Sequence, residues 1–591
     1  MGHRCRSIGL LLLFVSGCAP LWSLVMPEQR QLDIRDSAQI PHAPLPALPP
    51  PETVLLRTAP DVVPRQLSLD EAIRIALANS KVIRVLAGVT AVSSGQTIYD
   101  PAISNTDIDV AQSVFDPTLG IGNHWNNNET PQGFLNLKDP LGARIAGSRV
   151  GDYALGIGLA QRNVTGGTLK LDYADTASRF HPGLFPLNPE DRNSLGLSYT
   201  QPLLRGAGVR ANLAPTVIAR INTERSYFQF KDSVQELVRG VIEAYWNVFF
   251  ANEDVAARRK QVNQAKEAYD KAEAFSQKGA LKDPGEYPQS KAAYFNFKAS
   301  LTGAEGNLLR RKAALQNILG LPPNSSEPLE LTTKPKTARI DPKWEDTVRL
   351  AQELRPDLIE LELILEADQQ AVLLANNQAR PQVDAAMFYR WNGLDGQTPS
   401  RDHIETGFGQ FTDWTLGVNF SVPLGLRKDR AGLRRAELFV LRDQANLEQG
   451  LHSAIHALAG NYRNLAQAFE QYQQFKLTRA AAKENADGQF DRWKAGVTIY
   501  LNVLQAISSL GDAESSEAQA LAQYNIELAN LERETGTILE THGVKFFEER
   551  IRAIGPLGRH AAGRFYPSSV APGPNVDRYL TAPPPPVDDK K

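Results

Sequence analysis

The chain has 591 residues, more than one simple core holds, so two or more structural units are expected. Its 64 basic and 66 acidic residues nearly cancel, which excludes a basic nucleic-acid footprint and an acidic interaction tail. The only cysteines are Cys5 and Cys18, too few for a disulfide scaffold or a cysteine-built metal site, and the nine histidines show no metal-ligand spacing.

The chain opens with His3, Arg4 and Arg6, then a short apolar run from Ile8 to Val15, closing in Val15-Ser16-Gly17-Cys18. A bilayer span needs about 20 apolar residues, so residues 1–17 read as a processed signal. The ending resembles a bacterial lipobox, in which cleavage leaves Cys18 as a lipid-bearing N-terminus. An ordinary secretory signal with a chance cysteine is the competing reading. Residues 18–66 are rich in proline from Pro41 to Pro64 and read as an extended tether. No later run of about 18 apolar residues occurs, so no transmembrane helix is expected, and any membrane crossing requires a closed β-barrel.

An internal duplication follows, over residues 67–325 and 340–545. Each half starts with a short amphipathic helix, Leu69 to Leu77 and Trp344 to Leu354. β-like alternation comes next: Leu119, Ile121 and Trp125; Leu195, Leu197 and Tyr199; Leu416, Val418 and Phe420, each interleaved with small or polar residues. Such strands fit a lipid-facing wall with a wet lumen better than a soluble sheet with one wet face, which gives the same alternation. A further pair, Tyr153 to Leu159 and Leu169 to Tyr173, flanks Thr165-Gly166-Gly167 and reads either as a surface hairpin or as extra wall.

Each half leaves its strands through a proline-marked exit, at Pro202 and Pro423, where a residue without an N–H donor is tolerated. Then come helices with sustained heptad-like spacing, such as Val234, Leu237, Val241, Tyr245 and Val248, or Leu447, Leu451, Ile455, Leu458, Tyr462 and Leu465. Runs of roughly 65 residues at about 1.5 Å each imply coiled-coil helices near 100 Å long. Glycine-bearing turns at Gly279 and Gly496 send the chain back along a second helix. Residues 546–591 carry Pro583 to Pro586 and read as a disordered tail.

The lipobox-like signal, the repeated strand-then-long-helix order, Gln201-Pro202-Leu203-Leu204-Arg205-Gly206 and Lys494-Ala495-Gly496-Val497-Thr498 together resemble the TolC-like outer-membrane efflux family. The resemblance covers about residues 67 to 545. It implies a mainly α protein with a β-barrel part: a long antiparallel coiled-coil helical barrel joined to a transmembrane β-barrel, both completed by a homotrimer in outer-membrane lipid. It further implies that the tips at Gly279, Gly496 and Thr498 meet a periplasmic adaptor protein, whose partner is an inner-membrane pump. Relatives carry acidic residues at the channel constriction. The matching positions here are Asn502 and Gln505, with Glu286 the nearest acidic counterpart in the first half. Amides supply dipoles where a carboxylate ring would attract cations.

No Gly-x-Ser-x-Gly elbow, phosphate loop or zinc motif is present, so no catalysis, cofactor, metal or nucleic-acid partner is expected. The alternative to a channel is a lipid-anchored periplasmic coiled-coil scaffold without a pore.

Overall fold

The computed structural model describes residues 52–54, 65–136, 139–182, 185–278, 285–322, 329–495, 497–544, 554–555 and 558–559. Cys18, the signal, most of the tether, Gly279, Gly496 and nearly all of the tail lie outside these residues.

Strand β1 (Arg65–Leu67) leads into helix α1 (Leu69–Ala78), capped where the Ser68 hydroxyl accepts the Glu71 N–H at 3.2 Å. Its buried face is Leu69, Ala72, Ile73 and Ala76, the three-and-four spacing of an amphipathic helix. Strands β2 (Val82–Ala87) and β3 (Thr90–Thr97) then form a hairpin, followed by helix α2 (Asp100–Gln112). Val82, Ile83, Val85, Thr90 and Val92 favour the strand, since β-branched side chains lose rotamer freedom in a helix. The second half runs differently at this place. There α5 (Trp344–Leu354) is followed by one continuous helix, α6 (Pro356–Gln378).

Four long strands come after α2: β4 (Thr118–Asn136), β5 (Asp139–Arg162), β6 (Thr168–His181) and β7 (Glu190–Pro202). The chain then enters α3 (Val209–Gln277, 69 residues) and returns through α4 (Glu286–Ile318, 33 residues). Short β8 (Leu329–Leu331) lies parallel to β1. After α5 and α6 come β9 (Gln382–Gln397), short β10 (His403–Glu405) and β11 (Phe411–Ser421). Helix α7 (Arg427–Lys494, 68 residues), helix α8 (Tyr500–Glu534, 35 residues) and a last turn, α9 (Ile538–Thr541), complete the described fold. At about 1.5 Å per residue α3 and α7 are each about 100 Å long. None of the described helices is apolar enough over its length to cross a membrane.

The large sheet is an antiparallel meander in the order β4-β5-β6-β7-β9, with β10 and β11 following one another along the far edge of β9. It is therefore six strands wide. The pair flanking Thr165-Gly166-Gly167 belongs to this sheet, as β5 and β6.

The largest apolar core lies midway along the helices. Leu237, Val241, Tyr245 and Val248 of α3 pack there with Ile73, Ile83, Leu315 and Ile318. The Tyr245 hydroxyl donates to Leu67 O at 3.1 Å and accepts the Thr333 N–H at 3.0 Å, tying both strands of the parallel β1–β8 pair to α3 at one end. A second core joins Leu458, Leu465 and Ala468 of α7 to Tyr524, Leu528 and Leu531 of α8. Not every heptad position is covered: Ile455 is exposed, as are Leu438, Leu441 and Leu477 on the same helix.

Candidate functional site

The residues expected to matter fall in three zones along the molecule: the large sheet, the strand-to-helix junction and the helical tips.

In the wall, side chains alternate, and the register decides whether the alternation is continuous from strand to strand. It is. One row runs Leu119, Leu159, Leu171, Leu197, Tyr389 and Trp414 across all six strands. The next runs Ile121, Ile157, Tyr173, Leu195 and Trp391 through the same ladders. Nearer the helices come Leu169, Tyr199, Met387 and Leu416, then Ala385 and Val418, then Val383 and Phe420. The opposite face carries Gly120, Gly158, Asp172, Gly196, Arg390 and Asp413 in one row, and Thr168, Thr200, Ala386 and Gly417 in another. Arg390 and Asp413 pair across that face at 2.5 Å. The apolar face is bare: Leu119, Trp414, Leu416 and Val418 are all more than 60% exposed. A bare apolar side backed by a small, polar one is the pattern of a sheet that meets hydrocarbon on the first and water on the second.

At the junction, Pro202 is the last residue of β7, and Pro423 sits between β11 and α7. Leu203 continues the ladder past the proline by donating to Val383 O at 2.7 Å. The chain then turns through Gly206 (φ +79°) and Gly208 (φ +97°), a left-handed geometry that other residues resist. Asn377, buried at the end of α6, holds this turn. Its Oδ1 accepts the Gly206 N–H at 2.8 Å, and its amide donates to Ala207 O at 2.9 Å. Asn212 adds a second clamp by donating to Gly206 O and Gly208 O, both at 2.9 Å. The Asn163–Gly167 turn between β5 and β6 sits directly on this corner. Thr165 O accepts the Gly208 N–H at 3.1 Å, and a Cβ on Gly166 would lie 2.1 Å from Gly206 O. Neither Asn377 nor Asn212 was singled out from the sequence. Asparagine at the end of a helix is too common a capping residue to signal a distant clamp.

At the tips, Thr498 is described, and its Oγ1 accepts from the Asn502 amide at 2.9 Å. Asn502 and Gln505 lie one helical turn apart on the exposed side of α8, while Val503, Leu504, Ala506 and Ile507 face inward. Glu286 is placed differently. At the start of α4 it accepts from the Trp493 indole at 3.4 Å, so its carboxylate is turned toward the other hairpin and not grouped with the two amides. Trp493 packs on Phe490 and Tyr500, with the Lys271 ammonium 5.3 Å from its ring. Burial and the nearby Glu286 charge push the Tyr500 phenol well above its usual range. Farther up, Arg258 pairs with Asp512 at 2.7 Å and Lys260 with Glu514 at 3.1 Å, binding α3 to α8. Val497, Ile499 and Leu501 at the second tip are exposed apolar residues.

The family model for outer membrane efflux proteins matches residues 168–321 and 347–537, more than half of the chain. This chain belongs to the outer membrane efflux protein family. Among solved structures, a membrane protein from Pseudomonas aeruginosa matches with a TM-score of 0.55 at 17% identity, over 79% of this chain and 93% of that one. CusC, described by conformational changes accompanying folding and transmembrane channel formation, matches with 0.54 at 14% identity, over 84% and 99%. The open state of the Neisseria gonorrhoeae MtrE outer membrane channel matches with 0.52 at 17% identity, over 80% and 89%. Comparison with curated proteins returns no match. The efflux protein thus has the TolC-like channel fold and belongs to the outer membrane, in a family of channels and not of enzymes.

Proposed function

We propose that this efflux protein is one third of a passive exit duct, a homotrimer anchored by lipid on Cys18. Its helical tips dock onto a periplasmic adaptor that links it to an inner-membrane pump. The observation that carries the reading is the apolar band that crosses all six strands from Leu119 to Trp414, with a small, polar face behind it and helices about 100 Å long beneath. A poreless scaffold gives no reason for such a face.

Trimerisation is supported by what one chain leaves open. Among the described residues β4 pairs only with β5, and the long edge of β11 only with β9. Open edges are intolerable in lipid, and copies arranged around an axis close them. The exposed Leu438, Leu441 and Ile455 of α7 give neighbouring copies an apolar seam. The two halves, each a short helix, strands, a long helix and a shorter one, read as diverged repeats. Val497, Ile499 and Leu501 beside Thr498 support the second tip as an adaptor contact; Gly279 and Gly496, expected to share that contact, lie outside the described residues. The constriction is formed by Asn502 and Gln505, with Glu286 set back as a latch to Trp493.

The test is conductance of the purified protein in planar bilayers. A trimer with steady ion conductance is expected, insensitive to divalent cations. Asn502→Asp with Gln505→Asp is expected to introduce block by divalent cations, because a carboxylate ring holds them. A monomer with no conductance overturns the duct. Unchanged cation sensitivity places these side chains away from the constriction. Cys18→Ala is expected to abolish incorporation of labelled fatty acid, and a crosslinker at residue 496 is expected to capture the adaptor.

A further inference from the structure

The two halves of the chain differ in one respect that bears on the size of the pore. Between its leading helix and its long helix the second half has one full strand pair, β9 and β11, whereas the first half has two, β4 to β7. The family match begins at residue 168, the first residue of β6, so β4 and β5 precede it. We infer that β4 and β5 are wall strands of the outer-membrane barrel, and that three copies close an 18-stranded barrel by pairing β4 of each copy with β11 of the next. This rests on the trimeric channel reading above.

Four observations carry the inference. First, the ladders do not change face at the extra pair. Leu119 and Ile121 of β4 meet Leu159 and Ile157 of β5, which continue the apolar rows of β6 and β7, while the Trp125–Tyr153 pair above them runs on to Ala177 and Asp191. Gly120 and Gly122, opposite Gly158 and Gly156, continue the small-residue face. A hairpin lying on the outside of a smaller barrel has no reason to keep both faces in phase with it.

Second, the pair is seated at the junction. The Asn163–Gly167 turn is hydrogen-bonded to Gly208 at the entry to α3, and Arg162 donates to Asn212 Oδ1 at 2.7 Å. The Gln161 amide also donates to Phe115 O at 3.3 Å, at the foot of β4. Third, the ends of the hairpins are unequal in the way outer-membrane barrels are. The turn near the helices is five residues long. At the far end β4 and β5 run on as a two-stranded ribbon, because residues 139–148 of β5 have no partner in β6. Fourth, six strands is an even number, so the two open edges run antiparallel and join without breaking the meander.

The consequence is a wide exit. With strands about 4.8 Å apart and tilted about 40°, 18 strands give a backbone diameter of about 36 Å, against about 24 Å for the 12 that remain if β4 and β5 stand outside. A ring of 12 helices spaced about 8–10 Å apart has a diameter of about 31–38 Å. The larger barrel therefore continues the helical tube at nearly constant bore, where the smaller one would narrow it.

Two measurements decide this on the full-length protein. Cysteine pairs on the polar face test the seam: Gly120→Cys or Gly122→Cys with Gly417→Cys or Asn419→Cys, oxidised in membranes. Disulfide-linked dimers and trimers on non-reducing gels are expected for at least one pair, and no linkage for Lys170→Cys or Asp172→Cys with the same β11 partners. Linkage of β6 to β11 overturns the inference while leaving the trimer in place. Electron-microscopic imaging of the unsubstituted protein along the pore axis is expected to resolve 18 strands. Twelve strands overturn the inference even if the cysteine variants misfold, and a monomeric particle overturns the trimeric channel reading along with it.

Discussion

Removing one hydrogen bond between the two helical hairpins is expected to open the channel. The Trp493 indole donates to the Glu286 carboxylate at 3.4 Å, at a tip contact otherwise built of rings and the Lys271 ammonium, with the Arg258–Asp512 and Lys260–Glu514 pairs joining the hairpins farther up. Trp493→Phe keeps an aromatic ring against Phe490 and Tyr500 but deletes the donor. A hydrogen bond to a charged group contributes about 1.5–3 kcal/mol at good geometry, and at this length and partial exposure about 1 kcal/mol is the reasonable share. One copy gains little from that. Three copies that open together add to about 3 kcal/mol, roughly a hundredfold in the closed-to-open ratio. The assay is single-channel recording of the trimer in planar bilayers, scoring open probability. Glu286→Gln keeps an oxygen acceptor for the indole and is expected to shift the ratio less than Trp493→Phe. If both variants gate as the unsubstituted protein does, the hairpins are not latched here and the reasoning fails.

Further outcomes follow from the junction, the wall and the upper helices. Asn377→Ala strands the Gly206 N–H and the Ala207 carbonyl in a half-buried corner, at about 1–2 kcal/mol. A lower unfolding temperature of the detergent-solubilised protein reads this out, with rescue absent in Asn377→Asp, which cannot donate to Ala207. Leu416→Arg places a charge on the apolar face and is expected to cost about 2–4 kcal/mol and block membrane assembly, whereas Thr415→Arg on the opposite face assembles. Heat-modifiable gel migration in outer-membrane fractions separates the two, and equal behaviour refutes the assignment of faces. Asp368 on α6 has its carboxyl raised to about 6, first by burial and then by Asp443, which Arg442 holds at about 2. The folded chain therefore grips the Asp368 proton more tightly than the unfolded chain does. That stabilisation is complete below about pH 4 and lost as pH rises through about 6. Asp368→Asn is expected to raise stability at pH 7.5 by about 1 kcal/mol once solvent screening is allowed for, and to be neutral at pH 4. A pH-independent difference in denaturation midpoint refutes it.

The legible part of this protein is the part written in short-range periodicity. Leu416, Val418 and Phe420 alternate because a strand has period two, and Leu458, Leu465 and Tyr472 recur because a long helix in a bundle buries every third or fourth residue. Each pattern is visible within a few residues, so strands, long helices and proline-marked exits are recoverable without coordinates. The β2–β3 hairpin was less visible. Val82 to Thr97 is rich in β-branched residues, but its place in the first half corresponds to a helix in the second, and the shared order of the halves masks the local preference.

What the tertiary structure alone decided concerns partners far apart in sequence. Gly206 finds Asn377 at a separation of 171 residues, and Trp493 finds Glu286 at 207. No window along the chain contains both members of either pair. Register is of the same kind. That β5 and β6 join the large sheet depends on Leu159 meeting Leu171, and on Leu171 meeting Leu197, with the same faces throughout. A strand's own alternation says that it has two faces, but only its neighbours decide which face is shared. Sequence periodicity therefore identified a chain of strands and long helices fit for a membrane wall. The width of the sheet, and the Trp493–Glu286 hydrogen bond between the helical hairpins, came from long-range pairing that local periodicity does not encode.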